Sequence, residues 1–213
     1  MIGFPDKFDD ITRPLLTDNL GQAGAEAAQK LAEQGYEIHA GLTPELAGQI
    51  LTMSMEPNIR EFCPKDSSER FTDQAATERW LAKKRAAFLL FKQEADGSLK
   101  LAGYGWSGAG SNPNAPKGDT TFAVRIGEAG QGQGLAAPFS WLIIAASASL
   151  YGARNFWLET WASNGGAVHT YHKIGFVTVA EQPGERQAAD GQAIADTRIY
   201  MTLPNELLLP PSA

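Results

Sequence analysis

Residues 130–153 carry no charged side chain; they open on Gly130, Gly132 and Gly134 and then turn almost wholly apolar. Such a run must be hidden from water along most of its surface, which leaves two homes for it, a membrane span or the central helix of a core. Gln131, Gln133, Ser140, Ser147 and Ser149 interrupt the apolar character, and the glycines crowd its start. A buried helix over 135–151 follows. Immediately upstream, residues 120–126 read as a strand with Phe122, Val124 and Ile126 on one face, so the glycines form a strand-to-helix turn.

The other elements can be read around this centre. An Ala-rich stretch over 18–34 predicts a helix stopped at Gly35, and 36–40 a short strand. Thr43-Pro44 supplies a capping hydroxyl and a first-turn proline to a helix running to about Met55, with Leu46, Ile50 and Met53 on one face. Two prolines among polar residues mark 56–71 as a loop, after which Thr72 or Asp73 caps a helix that carries Trp80 and Leu81 and ends near Arg85. Residues 87–93 and 99–106 are strands joined through Asp96-Gly97, and 107–119 is a loop. Past the apolar helix come a strand over 156–161, a short helix over 165–173 stopped at Gly175, and strands over 176–181 and 198–203. This order predicts an α/β (α+β) fold, a mixed sheet covered by helices on both faces, within one domain over 1–213 whose first 34 residues are a helical extension.

With 43% hydrophobic and 20% charged residues the chain can bury one sizeable core. Its first ten residues turn acidic without a basic flank and apolar stretch, so no signal peptide is expected and the protein should be cytoplasmic. Cys63, the single cysteine, cannot form an internal disulfide and reads as a structural thiol. A net charge of -6 argues against a nucleic-acid footprint and permits a cationic acceptor. No membrane partner is expected, and a homodimer is compatible with the sequence.

Glycines at a strand-to-helix turn let consecutive N–H groups and the positive end of the helix dipole approach an anion such as a pyrophosphate. Several nucleotide sites share that physics, and the spacing discriminates among them. A P-loop needs Gly-Lys-Ser or Gly-Lys-Thr, and this turn has no lysine. A dinucleotide fingerprint wants a third glycine where Leu135 stands.

The segment Gln131-Gly132-Gln133-Gly134-Leu135-Ala136 resembles the Gln/Arg-x-x-Gly-x-Gly/Ala signature of the GNAT N-acetyltransferase superfamily. A second block, Asn164-Gly165-Gly166-Ala167-Val168-His169-Thr170-Tyr171-His172-Lys173-Ile174-Gly175-Phe176, is similar to that family's Asn-x-x-Ala-x-x-x-Tyr-x-Lys-x-Gly-Phe block and follows in the order the family would have it. The resemblance covers 120–176. It implies a mostly antiparallel twisted sheet whose central strands are splayed to admit acetyl-CoA, with Gln131, Gly132, Gln133, Gly134, Leu135 and Ala136 at the pyrophosphate. It further implies that backbone groups of Val124 and Ile126 pair with the pantetheine arm, and that Asn164 hydrogen-bonds it.

Tyr171 has two readings: a core ring on the face of Ala167 and Ile174, or the general acid that protonates the departing CoA thiolate, for which a phenol protonated at neutral pH is suited. Asn164 also suits a helix cap. The base is less legible: Glu159 alternates to the face opposite Phe156, Leu158 and Thr160, where it is either a base or a solvated carboxylate, and Glu61 and Asp119 are weaker candidates. His169 and His172 lack a third ligand nearby, so no metal is expected. No Cys or Ser stands in a nucleophile context, so the expected reaction is direct acetyl transfer to a small-molecule or peptide amine. The competing class is a non-catalytic acyl-CoA-binding or regulatory domain. The resemblance implies an acceptor pocket built from 56–71 and 182–196, whose Glu56, Glu61, Asp66, Glu69, Glu185 and Asp190 favour a cationic amine.

Overall fold

The computed structural model describes residues 3–17, 20–188 and 191–205. Eight strands form a single sheet in the order β1-β2-β3-β4-β5-β6-β8-β7. They are β1 (Arg13–Pro14), β2 (Tyr36–Ala40), β3 (Arg85–Gln93), β4 (Leu99–Ala109), β5 (Thr120–Ile126), β6 (Phe156–Trp161), β7 (Val177–Gln187) and β8 (Ala193–Thr202). Neighbours are antiparallel except β5 and β6, which run parallel. Helices α1 (Gly21–Ala32), α5 (Ala136–Tyr151) and α6 (Gly165–Lys173) cover one face, and α2 (Pro44–Ser54), α3 (Pro57–Phe62) and α4 (Gln74–Leu81) the other.

The alternation of the strands sorts the core into two layers. Phe88, Leu90, Phe122, Phe156 and Leu158 point towards α1, α5 and α6, while Leu89, Phe91, Tyr104, Trp106 and Ala123 point towards α2, α3 and α4. The charge-free stretch is now explained. Helix α5 buries Phe139, Ile143 and Ile144 in the core, and α1 packs against it on the same face of the sheet, so little of its circumference meets water. Each fully buried Phe or Ile of this kind stabilises the fold by about 1.5–3 kcal/mol relative to exposure. Gly105 on β4 makes the close approach possible, since a Cβ there would stand 2.5 Å from Ile143 Cδ1. No helix among the described residues is long and apolar enough to cross a membrane.

The N-terminal segment expected as an extension supplies β1 to the sheet edge and places Ala27 and Leu31 of α1 in the same core as α5. Its helix starts at Gly21; Asp18, where the sequence pattern would begin it, lies outside the described residues. Three other expectations are corrected. Residues 56–71 are mostly helical: Pro57 opens α3, Ile59 turns inward, and a π-helical turn, Asp66–Arg70, follows with Asp66 wholly buried. Arg85 begins β3 rather than ending α4, because Lys84 takes a positive φ of 58° and turns the chain. The segment 182–196 is largely an extended hairpin, with Pro183 tolerated because β7 is an edge strand that needs no N–H there. Asp190 lies outside the described residues.

Candidate functional site

The parallel ladder between β5 and β6 consists of Thr120↔Phe156 and Thr121↔Trp157 and then stops, so the strands diverge towards their C-terminal ends. Across β4, the Gly127 N–H donates to Ala102 O at 2.9 Å. Antiparallel residues alternate between facing and turning away from a given neighbour. Arg125 and Ala123 therefore present their backbone groups to β4, and Val124 and Ile126 present theirs to the gap before β6. Val124 O accepts from Arg125 Nη1 at 3.0 Å and Ile126 O from Asn58 Nδ2 at 3.3 Å. The two N–H groups donate to no described group.

The glycine turn stands at the open end of this gap. Gly132 and Gly134 have φ of +73° and +75°, and a Cβ at either would meet no atom within 4 Å, so the strain of the turn is conformational and open space lies before it. The N–H groups of Gly134, Leu135, Ala136 and Ala137 donate to no described group, and Pro138 in the same turn has none to lose. Four free amides at the positive end of a helix make a cradle for an anion, which a pyrophosphate fits. The Gln133 side chain, exposed like that of Gln131, pins the turn, its Oε1 accepting from the Tyr36 hydroxyl at 2.8 Å and its Nε2 donating to Ala129 O at 2.7 Å. Gln131 is exposed, and Leu135 is buried beneath the cradle.

Across the gap, Asn164 caps α6 through Oδ1, which accepts from Ala167 N at 3.3 Å, and its Nδ2 stays without a described partner. The Tyr171 ring packs edge-on against Phe122 of β5, with centroids 6.3 Å apart, as its core reading expects. Its hydroxyl donates to no described group. Burial pushes its pKa up to about 12, against the opposing pull of the Arg125 guanidinium, so it remains a proton donor throughout the neutral range.

The structure separates the candidate bases. Glu159 lies on the predicted face of β6, half-exposed, with Arg198 Nη1 3.7 Å from its carboxylate. Glu61 pairs with Arg186 Nη2 at 3.2 Å, and Arg186 also reaches Asp196 at 3.0 Å and covers the Phe62 ring, so one arginine joins the two segments expected to form the acceptor pocket. Asp119 sits at the closed end of the gap, held by Thr120 and Asn155, and is not brought to the site. Burial pushes the Cys63 thiol up, which keeps it protonated. Among the described residues no group of three or more His, Cys, Asp or Glu side chains is placed to hold a metal.

Sequence reasoning missed one cluster on the α3 side of β5. Buried Asp66 accepts from Arg70 Nη1 at 2.5 Å, Arg125 Nε at 3.0 Å and the Tyr104 hydroxyl at 2.9 Å, and both guanidinium groups lie about 5 Å from the Trp106 ring centroid, at 5.1 and 4.9 Å. A usable signal was present. Arg125 interrupts an apolar strand, and a charge in such a place needs a buried partner. The acidic residues expected to attract a cation are in this way largely spent: Asp66 on two arginines, Glu61 on Arg186, and Glu56 on the Glu128 N–H at 2.7 Å.

No family model and no curated protein matches the sequence. Solved structures do match the fold. A GNAT-family acetyltransferase from Streptococcus pneumoniae is 20% identical with a TM-score of 0.56, over 79% of this chain and 99% of that one. The spermidine N-acetyltransferase of Vibrio cholerae, solved with CoA and spermine, is 18% identical with a TM-score of 0.63, over 83% of this chain and 99% of its own. The ribosomal-protein-S5-alanine acetyltransferase of Vibrio fischeri is 13% identical with a TM-score of 0.63, over 94% and 100%. The chain has the GNAT fold. Within the GNAT fold, the divergence of β5 and β6 is the expected central splay; the glycine turn follows β5, and Tyr171 of α6 packs on Phe122 of that strand.

Proposed function

We propose that this GNAT-fold chain is an acetyl-CoA-dependent N-acetyltransferase that passes acetyl directly to a primary amine. One observation carries the reading: the splay exposes a β5 edge whose N–H groups are unpaired and which runs straight into a turn with four unpaired amides. A pantetheine arm and a pyrophosphate need those two groups of donors in that order. Gly134, Leu135, Ala136 and Ala137 would hold the phosphates, Val124 and Ile126 the pantetheine amides, and Asn164 Nδ2 a further carbonyl. The Streptococcus and Vibrio proteins, acetyltransferases by name and one of them solved with CoA, support the assignment by fold.

Acetyl-CoA supplies an activated acetyl group as a thioester. The chain's own residues position the attack and handle protons. The amine nitrogen forms the C–N bond, the C–S bond breaks, and the thiolate takes the proton of the Tyr171 hydroxyl. The proton shed by the attacking nitrogen passes to Glu159, directly or through water. A protonated Cys63 supports transfer without a covalent enzyme intermediate. The reading also takes the chain as one domain acting in the cytoplasm.

The test has two parts. Acetyl-CoA at 100 times its Kd should stabilise the protein by about 2.7 kcal/mol, visible as a rise in Tm. Transfer of labelled acetyl to amines in a broad panel should then follow. An unchanged melt rejects the cofactor assignment; a raised melt without transfer to any amine supports the acyl-CoA-binding domain instead.

A further inference from the structure

We infer that the acceptor is a small amine carrying a carboxylate next to its amino group, an α-amino acid or a close analogue, with Arg125 as the carboxylate anchor. The inference rests on the acetyltransferase reading and names the substrate class of that same site. Continuing the β5–β6 register from Thr121↔Trp157 two residues at a time sets Ala123 across from Glu159 and Arg125 across from Trp161. All four lie on the sheet face covered by α2, α3 and α4, so Arg125 stands on one lip of the splay and Glu159, with Arg198 of β8 beside it, on the other.

Arg125 is built as a fixed anchor. Its Nε is held by Asp66, its Nη1 by Val124 O, and its plane lies over Trp106, which leaves Nη2 without a described partner. Its side chain retains 13% exposure, and its charge is felt at the Tyr171 hydroxyl. Asp66 is shared with Arg70, so the cluster Asp66, Arg70 and Arg125 keeps an excess of one positive charge. Tyr104 and Cys63 are neutral in the physiological range, since burial raises both. A guanidinium immobilised in this way recognises a carboxylate with little further loss of side-chain freedom. Glu159 is half-exposed and 3.7 Å from Arg198, at the longer end of ion-pair contact, and is the group available to an incoming ammonium. An amine with its own carboxylate satisfies both lips; a polyamine would set a cation against Arg125 and Arg70.

The experiment compares matched acceptors on the purified full chain: each common L-α-amino acid against the amine formed by removing its carboxylate, with CoA release read out at saturating acetyl-CoA. Spermidine and spermine are added as carboxylate-free polycations. The proposal expects at least one amino acid to exceed its decarboxylated partner by roughly 10–100-fold in kcat/KM, the worth of a hydrogen bond to a charged group. Arg125→Lys should shrink that ratio while acetyl-CoA still raises Tm; if this variant fails to fold, the wild-type ratio stands alone as the test. Equal rates within every pair, preference for the decarboxylated amines or polyamines, or no turnover in either set while acetyl-CoA still raises Tm each overturns the proposal. Loss of the acetyl-CoA shift itself strikes the cofactor assignment instead.

Discussion

The two walls of the splay are made of different materials. The wall proposed for the cofactor offers backbone: the edge of β5 at Val124 and Ile126, and the amides of 134–137 at the start of α5. On the wall proposed for the acceptor the groups are side chains drawn from distant places, Asp66 and Arg70 from the π-helical turn, Arg125 from β5 and Glu159 from β6. Backbone amides are the same in any sequence, so that wall is specified by where glycine permits the turn. A wall of side chains depends on every charge finding its counterpart, and one change can undo it.

The comparison is broken most severely at Asp66. Asp66→Ala leaves two guanidinium groups and the Tyr104 hydroxyl without their shared acceptor and should cost about 3–5 kcal/mol in a urea titration. A loss below about 1 kcal/mol would mean that solvent already screens the cluster, as it does exposed pairs.

Tyr171→Phe keeps the ring against Phe122 and removes the proton donor. Single-turnover acetyl transfer should fall by ~10², the low end for acid catalysis because a thiolate leaves fairly well unaided, with acetyl-CoA affinity little changed. Equal rates would return Tyr171 to a packing role alone. There is also a pH signature. Since burial raises the folded pKa to about 12 above the usual 10, the stability linked to this group is present below pH 10 and lost as pH rises through 12. The wild type should thus lose more stability over that interval than the Phe variant, in melts recorded at each pH.

The backbone wall is sharpened by two smaller changes. Gly134→Val places a β-branched residue at a φ of +75°, which costs roughly 1–2 kcal/mol of stability, and sends its side chain into the open space before the amides. CoA affinity should drop by about tenfold or more, the worth of a charge-assisted hydrogen bond; undiminished affinity in the folded variant would place the phosphates elsewhere. At Asn164 the two roles can be separated. Asn164→Ala should destabilise by ~1 kcal/mol through loss of the cap. Asn164→Asp keeps an oxygen for the Ala167 amide and deletes the Nδ2 donor, so its melt should stay near wild type while CoA binding weakens.

What could be read from the sequence was local. Thr43 before Pro44, Asp73 before α4, Gly97 in its hairpin and Gly132 and Gly134 before α5 each act on residues within a few positions, and all stand where their chemistry places them. The strand β5 and the helix α6 likewise begin and end where their patterns do. Residues 56–71 defeated that reading because their helicity is fixed from outside, by Ile59 entering the core and by Asp66 meeting an arginine from β5 that is 59 positions away. The hairpin over 182–196 did so because its order comes from pairing between β7 and β8 rather than from any apolar pattern of its own. The sequence by itself determined the glycine turn before α5, since a positive φ is a property of single residues. Only the tertiary structure decided the charged wall opposite it, because which carboxylate neutralises which guanidinium, and which guanidinium edge is left over, depends on distances between segments that the chain order does not encode.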